Sequence, residues 1–373
     1  MHSEGPSGAD ENVSLEGLGF TSEEVSGSPP GARRLRAGGQ GNPPHGRPGP
    51  RPRNLRSKLS VSDQAFRSIL RGGGIVVLVL EILVGSFLAY RAAQALRKAG
   101  WSFLTTQQWN PDGGGFGIAA IMIGTILIAL VAVAIAVPLS LGAALYISEY
   151  APRGIKRFLT SMVDLMAAVP SVVFGMWGAF LLQYKIVPLE EWISNWFSWI
   201  PIFQVQGEQR NTAIPLQTLF TSSTFIAGVV VSLMITPIAC SIMREAFSQA
   251  PIGEREGAYA LGATRWGMIR SVVLPFGRGA MIGGTMLGLG RALGETIAVV
   301  SIISPVFAIQ PHILQKGTSS ISSTIALLYA EATPFGVSAL MAAGLGLFAL
   351  TLVVNFLAAQ IVARSRSGAV SDA

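Results

Sequence analysis

The sequence predicts an all-α integral membrane protein with six spanning helices, and three observations lead to that fold class. Half of the 373 residues are hydrophobic and only 13% are charged, whereas a soluble domain is charged at about a quarter of its residues. The mean hydropathy of +0.51 agrees with this imbalance. The third observation is a series of six long apolar runs. A soluble enzyme is therefore excluded, because so few charges cannot cover its surface.

Residues 1–70 are predicted to form a disordered cytoplasmic tail. From 26 to 54 the chain is mostly Gly, Pro and Arg, a composition that buries too little apolar surface to offset the entropy lost on ordering. The tail lacks the apolar core of a signal peptide. Its arginines suit lipid headgroups or nucleic acid, but a solvated tail that helps fix membrane topology explains them more simply. Membrane lipid, and no nucleic acid, is the expected partner.

Residues 71–364 form the predicted transmembrane domain, and 365–373 a cytoplasmic C-terminal tail. A spanning helix needs about 20 apolar residues. The two longest apolar runs contain Pro138 and Pro237, where a kink or a helix end is expected. The six runs cover 75–90 (extending toward 96), 116–148, 158–184, 211–243, 279–310 and 332–363.

The distribution of basic residues predicts the orientation. With the N-terminus inside, the cytoplasmic segments contain 20 of the 27 Lys and Arg residues, and the outer segments contain 6. Positive charge favours the cytoplasmic side, so both termini of a multi-pass protein in the cytoplasmic (inner) membrane are placed inside. The outer loop 183–218 contains three tryptophans and is expected to lie along the interface as an amphipathic segment.

The cytoplasmic loop 244–278 carries the most specific motif in the chain. It reads Glu-Gly-Ala at 256–258, Gly at 262 and Val-x-Leu-Pro at 272–275. This spacing resembles the EAA signature of ABC-importer permeases, with Gly in place of the first Ala. The resemblance implies that the loop couples the permease to a partner ATPase. The residues that it assigns to coupling are Glu256, Gly257, Ala258, Gly262, Leu274 and Pro275.

The sequence of the same loop predicts two short helices. Residues 254–261 are predicted to be helical, with Glu254 near the positive N-terminal end. Gly262 is predicted to end this helix in the left-handed conformation. A second helix over 263–273 is predicted to follow and to end at Pro275, so that a rigid helix–turn–helix projects from the membrane.

Two charges lie inside the fifth apolar run. Arg291 and Glu295 are four residues apart and are expected to share one face of a helix. A charge at such a depth is costly and usually faces a bundle interior or a water path, and arginine suits an oxyanion. Two interpretations stay open: an internal ion pair that locks helices together, or a polar gate or anion contact in a path.

Segment 290–296, Gly-Arg-Ala-Leu-Gly-Glu-Thr, is similar to the Arg-Ala-x-Gly-Glu-Thr of phosphate-importer permeases. Segments 109–117, 148–152 and 170–175 resemble the PstC-type subunits of that family. The resemblance implies the six-helix type I importer fold and the transport of inorganic phosphate. Arg291, Glu295 and Thr296 would line or gate the path.

The resemblance also implies partners for this chain. They are a PstA-type second permease, a pair of PstB-type ATPases and a PstS-type phosphate-binding protein outside. ATP and Mg would bind the ATPases, and no cofactor is expected in this chain. The sequence contains no GxxxxGK[ST] and no HExxH motif, so neither ATP hydrolysis nor metalloprotease chemistry is expected of it. Its three scattered histidines and one cysteine predict no metal site.

Three alternatives to phosphate import remain open from the sequence. The chain would also suit a permease for sulfate or molybdate, although those permeases more often have Gly-Glu-Phe-Gly in the fifth span. An ATP-independent secondary transporter or channel would need no EAA-type loop. A membrane sensor subunit would need an output domain, which the sequence does not contain.

Overall fold

The computed structural model describes residues 61–205 and 217–366. The disorder predicted for residues 1–60 lies outside these ranges, as do residues 367–373 of the C-terminal tail. The chain divides into two units, residues 1–63 and 64–373, and the helical bundle belongs to the second. Residues 61–70, predicted as part of the tail, are helical. Val61, Phe66 and Ile69 lie in the first turns of α1, the helix that continues into the first span.

The described residues form thirteen α-helices, a two-stranded hairpin, and short 3₁₀ and π-helical segments. The α-helices are α1 Val61–Ala99, α2 Ala119–Leu145, α3 Arg153–Ala168, α4 Ser171–Trp177, α5 Gln183–Phe197, α6 Gln217–Phe220, α7 Thr224–Ser248, α8 Ile252–Ala260, α9 Arg265–Met268, α10 Leu274–Gly294, α11 Ile297–Ile302, α12 Ile321–Leu328 and α13 Pro334–Arg366. The strands are β1 Trp109–Asn110 and β2 Gly115–Phe116, paired antiparallel. The 3₁₀ segments are Gly100–Leu104 and Pro201–Phe203, and the π segments are Tyr146–Tyr150, Gly178–Leu182 and Ile269–Val273.

Six helical stretches are long and apolar enough to span a membrane, which confirms the predicted fold class. They are Val61–Leu104, Ala119–Tyr150, Ser171–Phe197, Thr224–Ser248, Arg265–Gly294 and Pro334–Ala363. The bundle has two ends. The β1–β2 pair precedes α2 at one, which we name the hairpin end, and α8 follows α7 at the other, which we name the α8 end.

The third span differs from its prediction. The run 158–184 is broken at Val169, which is extended with ψ 129°, because the residue before a proline is forced out of the helical region. Beyond Pro170 the chain is helical from Ser171 to Phe197. Two tryptophans expected in an interfacial loop, Trp192 and Trp196, are therefore part of α5.

The fifth span is displaced toward the α8 end. It runs from Arg265 to Gly294, whereas 279–310 was predicted. The π segment Ile269–Val273 joins α9 to α10, and Pro275 lies in the first turn of α10. The prediction that Pro275 ends a helix was therefore wrong, since proline is tolerated in a first turn.

The helices pass through the other two prolines that were expected to disturb them. α2 continues past Pro138, and α7 past Pro237. The Ser140 hydroxyl donates to the carbonyl of Thr236 at 2.9 Å, so a side chain from α2 binds the backbone of α7 beside its proline. Side-chain hydroxyls of this kind help membrane helices to accommodate proline.

The centre of the bundle consists of α2, α7 and α10. Gly284 and Gly288 of α10 face α7, where a Cβ on Gly284 would lie 3.3 Å from the carbonyl oxygen of Ala239. Small residues at this spacing allow two membrane helices to approach closely. By contrast, α1 is exposed throughout its apolar part, from Ile75 to Leu83.

Candidate functional site

The α8 helix ends in a well-defined cap, and a second cap begins α9 directly after it. Gly262 has φ +83°, and its N–H donates to the carbonyl of Tyr259 at 2.9 Å. The N–H of Ala263 donates to the carbonyl of Ala258 at 3.0 Å. These two bonds form a Schellman motif. The Thr264 side chain then accepts from the N–H of Gly267 at 3.1 Å and begins α9. The predicted left-handed stop at Gly262 is confirmed.

Arg255 ties α8 to two spans at once. Its Nη1 lies 3.0 Å from Oε2 of Glu149, at the end of the second span. Its Nε donates to the carbonyl of Ala250 at 3.1 Å, and its Nη2 donates to the carbonyl of Phe247 at the end of α7. One guanidinium therefore binds the ends of the second and fourth spans. The Glu149 side chain is only 4% exposed and that of Arg255 is 21% exposed.

The outer side of α8 is apolar and open. Ile252 is 72% exposed, Leu261 is 91% exposed, and Tyr259 lies between them with about half its surface free. Gly253 and Gly257 have open space where a Cβ would lie. We name these three exposed apolar side chains, Ile252, Tyr259 and Leu261, the α8 surface, because exposed apolar groups are available for a protein contact.

The structure separates the predicted coupling residues into two groups. Glu256, Gly257 and Gly262 are exposed at α8. Ala258 is half-buried and packs, with Leu274, against a core at the α8 end that includes Met243 and Phe247. Pro275 is exposed on α10. Some residues of the motif are therefore exposed on the loop, and others attach the loop to the bundle.

Arg291 and Glu295 do not form the predicted i, i+4 pair. The α10 helix ends at Gly294, and Glu295 is extended with ψ 128°, so the two side chains do not share a helical face. Arg291 is exposed and Glu295 is buried. Among the side chains described, those of residues 61–205 and 218–363, the structure contains one ion pair, which joins Arg255 to Glu149.

Glu295 instead makes hydrogen bonds with residues of α11 and α12. Its carbonyl oxygen accepts from the Ser322 hydroxyl at 2.7 Å, and its Oε1 accepts from the N–H of Ala298 at 3.4 Å. Thr296, which is half-buried, turns its hydroxyl back to the carbonyl of Gly294 at 3.1 Å. The break at 295–296 is therefore built from polar contacts that the apolar pattern of the span does not reveal.

Ser322 belongs to a buried run of hydroxyl residues at the start of α12. Ser320 caps α12 reciprocally with Ser323, and the N–H of Ile321 donates to the Thr125 hydroxyl of α2 at 2.9 Å. These bonds satisfy the polar groups of a chain segment that enters the bundle from the hairpin end. They fix the surroundings of Glu295 from α12 and from the second span.

Arg291 lines a hollow between α10 and α13. The hollow has a volume of about 510 Å³ and includes Ile238 of α7 and Asn355 of α13. Ile238 lies near the middle of α7, so the hollow is at mid-depth in the bundle. In the described parts of the chain, no group of three His, Cys, Asp or Glu side chains is placed to hold a metal ion.

Sequence reasoning missed two residues that the structure places in the candidate site. Arg255 immediately precedes the Glu-Gly-Ala motif, but its partner Glu149 is 106 residues away, so spacing alone cannot join them. Asn355 is a single amide in an apolar span and gives no periodic signal. For Asn355, the available clue was its position as an isolated polar residue in an otherwise apolar run.

Comparison with known proteins gives a consistent result. Residues 136–367 match the model of the family described as Binding-protein-dependent transport system inner membrane component. A relative from Mycobacterium tuberculosis, named Phosphate transport system permease protein PstC 2, is 36% identical over 310 residues, or 82% of this chain and 93% of the relative. A relative from Pasteurella multocida, named Phosphate transport system permease protein PstC, is 36% identical over 303 residues, or 80% and 91%.

A solved structure supports the fold. It is described as a bacterial ABC transporter involved in the import of the acidic polysaccharide alginate. It matches with a TM-score of 0.50 and 20% identity, covering 81% of this chain and 99% of that one. At this identity the likeness concerns the arrangement of helices alone.

Proposed function

This chain belongs to the family of binding-protein-dependent transport system inner membrane components, and from that premise we propose that it is the permease subunit of an ATP-driven importer of inorganic phosphate. The substrate rests on relatives named as phosphate permeases, which match four fifths of the chain at 36% identity. The structural observation that carries the coupling role is α8, capped by Gly262 and tied down by Arg255.

The α8 surface is the proposed contact with a PstB-type ATPase. Ile252, Tyr259 and Leu261 present an apolar face at the end of the bundle, with Glu256 and Gly257 exposed on the same helix. ATP and Mg bind the pair of ATPases, and this chain carries out no covalent chemistry. A PstA-type permease completes the membrane core, and a PstS-type protein delivers phosphate at the hairpin end.

In this assembly the α8 end faces the cytoplasm. Arg153 and Arg157 follow the second span, and Arg265 and Arg270 begin the fifth. All four lie near the α8 end, where the positive-inside rule places them in the cytoplasm. The even number of spans puts both termini on that side.

Coupling follows from the attachments of α8. When the ATPases close, they displace α8, and Arg255 passes the displacement to the second span through Glu149. The same guanidinium holds the end of α7 through the carbonyls of Phe247 and Ala250. Because α2, α7 and α10 form the centre of the bundle, movement of their α8 ends changes access to the middle of the protein.

The proposed path passes Arg291 at mid-depth, near the helix break at Glu295 and Thr296. Arg291 supplies a permanent positive charge for an oxyanion. The break gives the chain a point at which α10 and α11 can reorient, so Glu295 and Thr296 are placed as gate residues.

Substrate choice is tested by reconstituting the chain with its partners in proteoliposomes. We expect ATP-dependent uptake of radiolabelled phosphate that a tenfold excess of sulfate or molybdate leaves mostly intact. Preferential uptake of sulfate or molybdate would contradict phosphate as the substrate and leave the importer assignment standing.

A further inference from the structure

The hollow between α10 and α13 contains three polar side chains in an otherwise apolar lining. Arg291 comes from α10 and Asn355 from α13, and both are exposed. The third polar residue, Thr351, donates its hydroxyl to the carbonyl of Phe348 at 2.9 Å. Arg291 and Asn355 are thus the groups in this hollow whose hydrogen-bonding capacity is left for something else.

Neither side chain makes a hydrogen bond or ion pair with residues 61–205 or 218–363. An unpaired charged group that faces lipid chains is strongly unfavourable, and it is tolerated where it faces a water path or a polar ligand. The hollow lies beside Ile238 at the middle of α7, well away from the level of lipid headgroups. A polar ligand at mid-depth would satisfy both side chains.

Asn355 packs against α10 at Gly290, the residue before Arg291. A Cβ at Gly290 would lie 3.8 Å from Oδ1 of Asn355, so the amide packs directly over the backbone of the residue before Arg291. Arg291 and Asn355 are consequently next to each other although they are 64 positions apart in the sequence.

We propose that Arg291 and Asn355 form one half of an oxyanion site that binds the transported phosphate, with the second permease supplying the opposite wall. This inference rests on the proposed function and adds Asn355 as a specificity-determining residue. The guanidinium provides charge and a fork of N–H donors. The amide provides both an N–H donor and an acceptor oxygen.

The acceptor gives the site a reason to prefer phosphate. At neutral pH inorganic phosphate retains one or two P–OH groups, whereas sulfate has none. The Oδ1 atom of Asn355 can accept a hydrogen bond from P–OH, but against sulfate it faces an oxygen that cannot donate. An unpaired acceptor beside a bound anion is costly, so Asn355 discriminates between the two oxyanions.

The test uses Asn355→Leu and Asn355→Ser in the complex reconstituted with its partners, with Gln360→Leu as the matched control. Gln360 is an exposed amide on the same helix and outside the hollow. We expect Asn355→Leu to raise the KM for phosphate uptake about tenfold, as loss of a hydrogen bond to a charged group predicts. Selectivity over sulfate should fall in both Asn355 variants, while co-purification with the ATPase stays unchanged.

The outcomes separate the two claims. If the unaltered complex takes up no phosphate, the proposed function is wrong. If it does, and the KM and the selectivity of both Asn355 variants match those of Gln360→Leu, the half-site is wrong.

A second experiment distinguishes free phosphate from the phosphate of a lipid headgroup as the ligand of the hollow. Uptake is measured in vesicles of phosphatidylcholine alone and in vesicles that also contain phosphatidylglycerol. The proposal expects the same Asn355→Leu defect in both. A defect that occurs only with phosphatidylglycerol would mean that the hollow binds a headgroup, and would overturn the proposal.

Discussion

Arg255 is the residue on which we expect the proposed coupling to depend most directly. It contacts Glu149, Ala250 and Phe247, and so joins the second and fourth spans to α8. Glu149 is buried, and its other carboxylate oxygen has no hydrogen-bond partner within the described residues. The ion pair is therefore the main compensation for burying that charge.

Replacing Arg255 with Met is expected to separate ATP hydrolysis from uptake. Removing one partner of a buried ion pair costs about 3 kcal/mol, and the loop becomes free to move without the second span. We expect phosphate uptake per ATP hydrolysed to fall several-fold, measured in proteoliposomes. Glu149→Gln should have a milder effect, because a neutral amide is less costly to bury. Arg270→Met, an exposed arginine on the same connection, is the control, and an equal loss there would refute the specific role of Arg255.

Replacing Arg291 with Ala is expected to impair transport but not assembly. Arg291 is exposed and does not pair with Glu295, so its loss leaves no buried carboxylate uncompensated. We expect phosphate uptake to fall at least tenfold, with Arg291→Lys retaining part of it because the charge remains. Co-purification with the partner subunits should be normal. Failure to assemble would instead favour a structural role for this arginine.

Among the elements, α8 shows how a short helix can be made rigid. Nine residues are too few for a stable isolated helix, so its geometry comes from the Schellman motif at Gly262, the cap at Thr264 and the ties of Arg255. The open space around Gly253 and Gly257 leaves the outer face available to a partner.

Gly262→Val is expected to uncouple the transporter. A β-branched residue at φ +83° costs about 1–2 kcal/mol or more, and relief of that strain reorients α8 relative to α9. We expect ATP hydrolysis by the complex to continue while phosphate uptake falls. Gly279→Val is the matched control, because it adds the same side chain on α10 where a Cβ has open space and φ is not positive. Equal uptake by the two variants would show that the cap does not set the coupling geometry.

The elements also show which features of the fold sequence can predict. The six spans and the stop at Gly262 were predictable, because apolar length and a glycine at a fixed spacing are local signals. The end of α10 at Gly294 was not, because the apolar pattern continues past it and the bond from Ser322 to Glu295 comes from 27 residues later. The Arg255–Glu149 ion pair and the placement of Arg291 and Asn355 in one hollow also join residues that are far apart in the sequence.

At the scale of the whole molecule, the polar groups are arranged in three levels. The α8 end carries the coupling helix, mid-depth carries Arg291 and Asn355 in a shared hollow, and the hairpin half holds Glu295 in a network of hydroxyls. The second and fourth spans connect the first level to the other two. By this arrangement we expect a displacement at one end to reach the proposed anion site in the middle.

The most direct test of the importer assignment is the number of phosphate ions taken up per ATP hydrolysed in proteoliposomes that contain this chain and its three partners. We predict a constant ratio, uptake against a phosphate gradient, and no uptake when ATP is replaced by a non-hydrolysable analogue. Phosphate flux that continues without ATP hydrolysis and follows an ion gradient would contradict the account, because it would make this chain a secondary transporter.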